Sequence, residues 1–160
     1  MKLGLISDTH GSKKHTRYAA QHFKDEPVNT IVHCGDVTLL THLLPLKDIN
    51  VPLHVVFGNM DRGQQDFLDA DERGAFQHHG QSGTFVLDGK TVAMTHGHRQ
   101  SKLNELIHSE ADYVIHGHTH ERRDETIDGT RVINPGAIKP PNSSAAILDL
   151  SEDELRFIDI

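Results

Sequence analysis

The sequence predicts an α/β fold whose strands stand in both parallel and antiparallel relation. Two patterns lead there. In the N-terminal part, short apolar runs alternate with amphipathic stretches, the rhythm of parallel strands joined by helical crossovers. Further on, two Asp-Gly dipeptides each separate strand-like runs, a strong signal for a two-residue hairpin turn. A third observation links fold to chemistry: five of the apolar runs break at a loop that carries Asp, Asn or His.

Taken in order, residues 3–6 form the first strand and break at Ser7-Asp8-Thr9-His10-Gly11. A weakly amphipathic helix with Tyr18, Ala19 and Phe23 on one face follows and ends before Pro27. Ile31-Val32 breaks at Cys34-Gly35-Asp36; Thr38 is placed to cap a helix bearing Leu39, Leu40, Leu43 and Leu44, which Pro45 stops or kinks. Residues 53–57 break at Gly58-Asn59-Met60-Asp61, and a short helix is expected near Phe67-Leu68.

The rhythm then changes. Residues 84–87 and 91–94 flank Asp88-Gly89, and the second arm breaks at His96-Gly97-His98-Arg99. Ser101 is placed to cap a helix with Leu103, Leu106 and Ile107 at helical spacing. The run Tyr113-Val114-Ile115 ends in Gly117-His118-Thr119-His120. A second hairpin turns at Asp128-Gly129, and after Asn134-Pro135-Gly136 and a loop over 139–144, residues 145–150 and 155–160 make a last antiparallel pair.

Length and composition bound the function. The 160 residues suit one domain, 1–160, with a real core. With 23 acidic against 16 basic residues the net charge is −7, which argues against general affinity for nucleic acid or anionic membranes. The apolar part of residues 1–6 is too short for a signal peptide and reads as a strand. Cys34 is the single cysteine, so no internal disulfide forms; a reducing compartment, by default the cytoplasm, is expected. Cys34 itself reads as a small buried residue.

The chemistry collects at strand ends. Asp8 and His10, Asp36, Asn59, His96, and His118 with His120 all follow apolar runs, and in open α/β sheets such ends share one edge where ligands bind. Two imidazoles two residues apart on an extended or looping backbone project toward separate points, which suits two adjacent cations better than one. Gly35, Gly58, Gly97 and Gly117 beside them let the backbone turn sharply. Each residue alone has a plainer reading: helix cap, Asx-turn, satisfied core histidine. Their coincidence on one edge favours a metal centre.

Asp8-x-His10, Gly35-Asp36, Gly58-Asn59-x-Asp61, His96-Gly97-His98 and Gly117-His118-x-His120 resemble the motif series of the calcineurin-like metallophosphoesterases. Order and spacing are similar to the small bacterial and archaeal phosphodiesterase branch, over essentially the whole chain. The resemblance implies a four-layer α/β sandwich with two mixed β-sheets and a dinuclear metal site at the C-terminal strand ends. It also implies that Asp8, His10, Asp36 and His120 hold one ion, and Asp36, Asn59, His96 and His118 the other, with Asp36 bridging. Manganese is expected from the family; the donor set of histidine, carboxylate and amide also admits iron, nickel, cobalt or zinc. The implied reaction is hydrolysis of a phosphate ester, most readily a diester, by a hydroxide bridging two ions. Two dications less two aspartates and that hydroxide leave a charge of about +1 facing the phosphate.

Two departures bear on proton transfer. Met60 stands where many members have a histidine acting as general acid, and Leu39 stands where a second aspartate often follows the first. Asp61 is retained without the histidine it would orient. His98 and Arg99 become the candidates for phosphate contact or proton donation, beside Asn59. His15, His22, His42, His54, His78, His79 and His108 read as surface residues; His33 and His116 stand close to the ligand loops, with supporting, solvated or core roles all open.

Two alternatives stay open, a phosphomonoesterase of the same fold and a protein-binding scaffold with little catalysis like the retromer subunit of this fold; assembly as a homo-oligomer is open for each reading. A metallo-β-lactamase-type hydrolase is disfavoured, because Gly117-His118-Thr119-His120 continues as Glu121-Arg122. With no inserted cap, a small or accessible phosphoester is the expected substrate.

Overall fold

Strand β1 (Lys2–Ile6) is the axis of the molecule, paired antiparallel with β10 (Ser144–Asp149) on one side and parallel with β2 (Thr30–His33) on the other. All four of Leu3, Leu5, Ile6 and Ile31 are buried, as a strand covered on both faces requires. The computed structural model describes residues 1–61, 64–72, 74 and 76–160, apart from the side chains of Gln64, Leu68, Asp71 and Glu72.

The first sheet has the order β11-β10-β1-β2-β3-β4. Here β3 is Leu53–Val55, β4 is Gln77–His78 and β11 is Glu154–Asp159. The second has the order β5-β6-β7-β9-β8, with β5 Ser82–Leu87, β6 Lys90–Thr95, β7 Tyr113–Ile115, β8 Arg122–Ile127 and β9 Thr130–Pro135. Both are mixed: β1-β2-β3-β4 run parallel in one and β6-β7-β9 in the other, with antiparallel strands outside. The two hairpins turn at Asp88-Gly89 and Asp128-Gly129, where all four residues have positive φ, as a type I′ turn demands.

The sheets face each other. Leu3, Leu5, Val32 and Val56 of the first pack with Val92, Met94, Ile115 and Ile133 of the second. On the outer face of the first sheet lie α1 (Lys13–Asp25), α2 (Leu44–Lys47) and α3 (Gln64–Glu72), contributing Ala19, Phe23, Leu46 and Phe67 to a second core. On the outer face of the second sheet, α4 (Gln100–Ile107) sets Leu103 and Ile107 against Ala93, Val114 and Val132. The order helix, sheet, sheet, helix is the four-layer sandwich that the family resemblance implies. Burial of each large apolar side chain contributes roughly 1.5–3 kcal/mol.

Local details depart from the sequence reading. Tyr18 is 48% exposed, because the buried stripe of α1 runs through Thr16, Ala19, Ala20 and Phe23. Tyr18 instead lies beneath the Lys14 ammonium. Pro45 opens a helix rather than ending one: a 3-10 turn over Leu40–Leu43 leads into α2, with Pro45 in its first turn, where its missing N–H costs nothing. Thr38 caps nothing; its φ is +74° and its N–H donates to the Asp61 carboxylate. Ser101 lies inside the first turn of α4, whose N-cap is Arg99. The side chain of Leu68 lies outside the described set.

Candidate metal centre

All five motif loops leave the same edge of the sandwich. Asp8 and His10 follow β1, Asp36 follows β2, Asn59 follows β3, His96 follows β6, and His118 with His120 follow β7. Backbone hydrogen bonds tie the loops pairwise: Asp8 N–H to Gly35 O (3.0 Å), His10 N–H to Asp36 O (2.9 Å) and Gly117 N–H to His96 O (2.9 Å). A further bond crosses between the sheets, from His118 N–H to Asp8 Oδ2 at 2.9 Å.

Five of the seven predicted ligand residues hold left-handed backbone: Asp8 (φ 52°), His10 (42°), Asp36 (56°), His118 (70°) and His120 (62°). Such conformations cost a non-glycine residue roughly 1–3 kcal/mol each and persist where the surroundings over-determine them. Two glycines permit the close packing. A Cβ on Gly58 would stand 2.0 Å from Asp36 Oδ1, and one on Gly117 would stand 2.5 Å from Asp8 Oδ2. Any side chain there displaces a carboxylate.

Two triads of donor atoms result: Asp8, His10 and His120, and Asp8, Asp36 and His96. In the first, His120 Nε2 lies 3.2 Å from Asp8 Oδ1 and 3.2 Å from His10 Nε2. In the second, His96 Nε2 lies 3.5 Å from Asp36 Oδ1 and 3.9 Å from Asp8 Oδ1. Asp36 reaches both: its other oxygen, Oδ2, is 3.7 Å from His10 Nε2. Donors that each sit about 2.0–2.2 Å from one cation stand roughly 3–3.5 Å apart, so these separations match a shared ion.

The hydrogen-bond pattern points the same way. His96 Nδ1–H donates to Cys34 O at 2.7 Å, which leaves Nε2 as a bare lone pair. That lone pair faces Asp8 Oδ1, Asp36 Oδ1 and Asn59 Oδ1, the last at 3.1 Å. With His96 in that neutral tautomer four acceptors face one another, an arrangement that a cation between them would satisfy. Asp8 Oδ1 is also buried with no hydrogen-bond partner among the described residues, while Oδ2 accepts from Ser7 Oγ and His118 N–H. An unpaired buried carboxylate oxygen is costly, and metal coordination is one of the few ways to satisfy it. The residues present fit divalent metal.

The remaining predicted residues lie around this centre. The His118 ring is 5.1 Å from that of His96, on the side of the second triad, although it joins neither triad. His98 stands 5.4 Å from His96 and 6.2 Å from His118, and its buried Nδ1 has no partner among the described residues. Burial, then the neighbouring His96, hold its pKa below the usual value. Arg99 is exposed at the start of α4.

Residues that hold the loops were only partly visible in the sequence. Asp61, read as lacking a neighbour to orient, takes three backbone N–H groups: Asp36 (2.9 Å) and Gly58 (2.7 Å) on Oδ2, Thr38 (2.7 Å) on Oδ1. His33 is fully buried and accepts from Gly35 N–H at Nδ1, so its Nε2–H donates to Thr9 Oγ1. His116 donates from Nδ1 to Gly117 O and accepts from Arg123 at Nε2. Burial pushes both imidazoles down to about 4, consistent with these neutral tautomers. Asn134 fastens the histidine loop, donating to Gly117 O and Thr119 Oγ1 while accepting from Gly136 N–H. An asparagine before Pro-Gly was the available signal. Cys34 is fully buried, and burial pushes its thiol well up, an inert role.

Not every histidine assigned to the surface is there. His54 is buried, stacked on Phe85 with ring centroids 3.9 Å apart. His78 packs against Phe57 at 3.7 Å.

A mixed two-sheet sandwich with this cluster at its parallel strand ends defines the metallophosphoesterase class of site. Residues 1–153 match the calcineurin-like phosphoesterase superfamily domain, and the chain belongs to that superfamily. It is 36% identical over 144 residues to a phosphodiesterase of Methanocaldococcus jannaschii, covering 85% of this chain and 83% of the relative. It is 32% identical over 172 residues to a probable metallophosphoesterase of Bacillus subtilis, covering 99% and 91%. Among solved structures, an archaeal phosphodiesterase superposes over all of both chains with a TM-score of 0.90 at 34% identity. Vps29 of Entamoeba histolytica reaches a TM-score of 0.70 at 16% identity, over 100% of this chain and 99% of the other, a likeness of fold alone.

Proposed function

We propose that this protein is a phosphodiesterase that works with two divalent ions, manganese by preference, held by Asp8, His10, Asp36, Asn59, His96, His118 and His120. The observation that supports this most directly is the buried, unpartnered Asp8 Oδ1 at the centre of a ring of acceptor atoms. The archaeal relatives named as phosphodiesterases favour a diester over a monoester. Two cations bound there would supply an activated water as the nucleophile and positive charge to offset the phosphoryl oxygens.

The chain's own residues do the rest. Asp36, with Oδ1 toward His96 and Oδ2 toward His10, is the shared carboxylate. His96 and His118 come from the second sheet and Asp8, Asp36 and Asn59 from the first, so the centre holds only while the sheets keep their spacing. His98 offers a ring nitrogen to the phosphate from beside His96 and His118, and Arg99 adds a cation at the rim. Met60, exposed where the family motif often has a histidine, provides no proton. Poor leaving groups therefore depart with little help.

No helix among the described residues is long and apolar enough to cross a membrane. A small phosphoester reached from water, in the cytoplasm, is the substrate setting we favour. The test is elemental analysis of the purified protein, with hydrolysis of bis-p-nitrophenyl phosphate and p-nitrophenyl phosphate measured after chelation and add-back of single metals. Two ions per chain and manganese-restored diester hydrolysis are expected. Full activity in chelator would refute the reading.

A further inference from the structure

A cavity of about 600 Å³ opens beside the metal centre, between the start of β8, the 139–144 loop and the end of β11. Its walls include His120, Glu121, Arg122, Asn142, Ser143 and Asp159. His120 belongs to both places: it lines the cavity, and its Nε2 stands 3.2 Å from Asp8 Oδ1. A phosphodiester has two alcohol arms, and in-line attack expels one. The arm retained by the product must lie to the side of the reacting phosphorus, and this cavity is a place for it.

The walls define what that arm is. Arg122 is held by the fold through two of its three guanidinium nitrogens: Nε donates to Ser144 Oγ at 2.7 Å, Nη2 pairs with Asp159, and the guanidinium lies over Phe157 at 5.2 Å. With Arg122 and Asp159 cancelling, Glu121 leaves the cavity net negative, which repels a second phosphate. Ser143 is 4% exposed, and its hydroxyl has no partner among the described residues. An unsatisfied buried hydroxyl costs about 1–3 kcal/mol, and a ligand hydroxyl would satisfy it. The Asn142 amide beside it adds both donor and acceptor.

We infer that this cavity is a subsite for an uncharged, hydroxyl-rich alcohol arm of sugar size, retained on the product while the other arm leaves. The inference rests on the phosphodiesterase reading, and two measurements separate their fates. The first compares kcat/KM of the manganese-loaded protein on methyl p-nitrophenyl phosphate and on glucose 6-(p-nitrophenyl phosphate), corrected for spontaneous cleavage. The leaving group is the same, so the ratio reads the retained arm. One or two hydrogen bonds should favour the glucosyl diester by about tenfold. Ser143→Ala and Asn142→Ala should each bring that ratio toward unity. The second measurement needs no turnover: in ¹⁵N NMR titrations, glucose 6-(methyl phosphate) should shift the amides of residues 121–122 and 142–144, and dimethyl phosphate should not.

If neither diester is hydrolysed but the glucosyl compound shifts those amides, the subsite stands and the catalytic reading falls. If both are hydrolysed equally and no such shifts appear, the subsite falls and the catalytic reading stands. A glucosyl preference that survives both substitutions would also overturn the subsite.

Discussion

The carboxylate of Asp61 accepts the backbone N–H of Asp36 at 2.9 Å, joining two loops 25 positions apart. Because the same side chain takes Gly58 N–H and Thr38 N–H, it sets the path of both loops that carry Asp36 and Asn59. Asp61→Asn puts an amide N–H where at least one backbone N–H now donates. Weakened positioning of metal ligands commonly costs about 10–100-fold in affinity. Manganese titration of the chelated protein by calorimetry should show a loss of that order, with stability lower by about 1–3 kcal/mol. Unchanged affinity would mean that the loops hold their shape without Asp61.

Asp36 faces both sides of the cluster, with Oδ1 3.5 Å from His96 Nε2 and Oδ2 3.7 Å from His10 Nε2. Asp36→Asn should therefore weaken both metal positions, whereas His10→Ala should empty mainly one. A readout independent of activity follows from Asp8 and Asp36 lying buried in one triad. Without metal their mutual repulsion destabilises the fold, so Asp36→Asn should melt higher than wild type in chelator and gain less on adding manganese. Two tightly bound ions and normal turnover in Asp36→Asn would end the bridging assignment.

Most of this arrangement was legible because strand ends and candidate ligand residues coincide locally. The apolar runs before Asp8, Asp36, Asn59, His96 and His118 are short-range patterns, and the Asp-Gly turns carry their own geometry. What escaped is long-range. Nothing near Asp61 in the sequence shows that it will accept the N–H groups of Asp36 and Thr38, nor that Asn134 will reach back to Gly117. β4 is two residues long with no apolar alternation, and exists because β3 presents an open edge. His54 looked polar enough for the surface, yet Phe85 from the opposite sheet covers it. Thr38 and Ser101 had the right chemistry for caps; at Thr38 the N–H is used by Asp61, and α4 starts before Ser101.

His98 places a ring beside the motif histidines without bonding to either, and its Nδ1 is buried with no partner among the described residues. Nε2, rather than the buried Nδ1, is the ring nitrogen that a substrate oxygen would meet. If the contact is to the phosphate, His98→Ala should lower kcat/KM for aryl and alkyl diesters about equally, roughly 10-fold for one lost hydrogen bond. If His98 is instead the general acid, alkyl diesters should suffer far more, by about 10²–10⁴-fold. A leaving-group series run on both proteins decides. We expect parallel lines of log kcat/KM against leaving-group pKa; a steeper line for His98→Ala would identify the acid.

His54 gives the fold a pH dependence that can be isolated from the metal centre. Burial first, and the neighbouring His79 second, push its pKa from 6.5 down to about 4. His54 Nδ1 and His79 Nε2 are 2.8 Å apart, so protonating either ring opposes the other. The folded pKa is below the unfolded one, so as pH falls the unfolded chain takes up the proton first. The contribution is complete above pH 6.5 and is lost as pH falls toward 4. One proton corresponds to a slope of at most about 1.4 kcal/mol per pH unit. His54→Phe keeps a ring against Phe85 and removes the site. Urea unfolding at a series of pH values, in chelator so that metal release does not contribute, should give wild-type stability that falls between pH 6.5 and 4, and a shallower fall in His54→Phe. An identical slope in the two proteins would place the acid sensitivity elsewhere, with His33 and His116 next in line because burial depresses them equally.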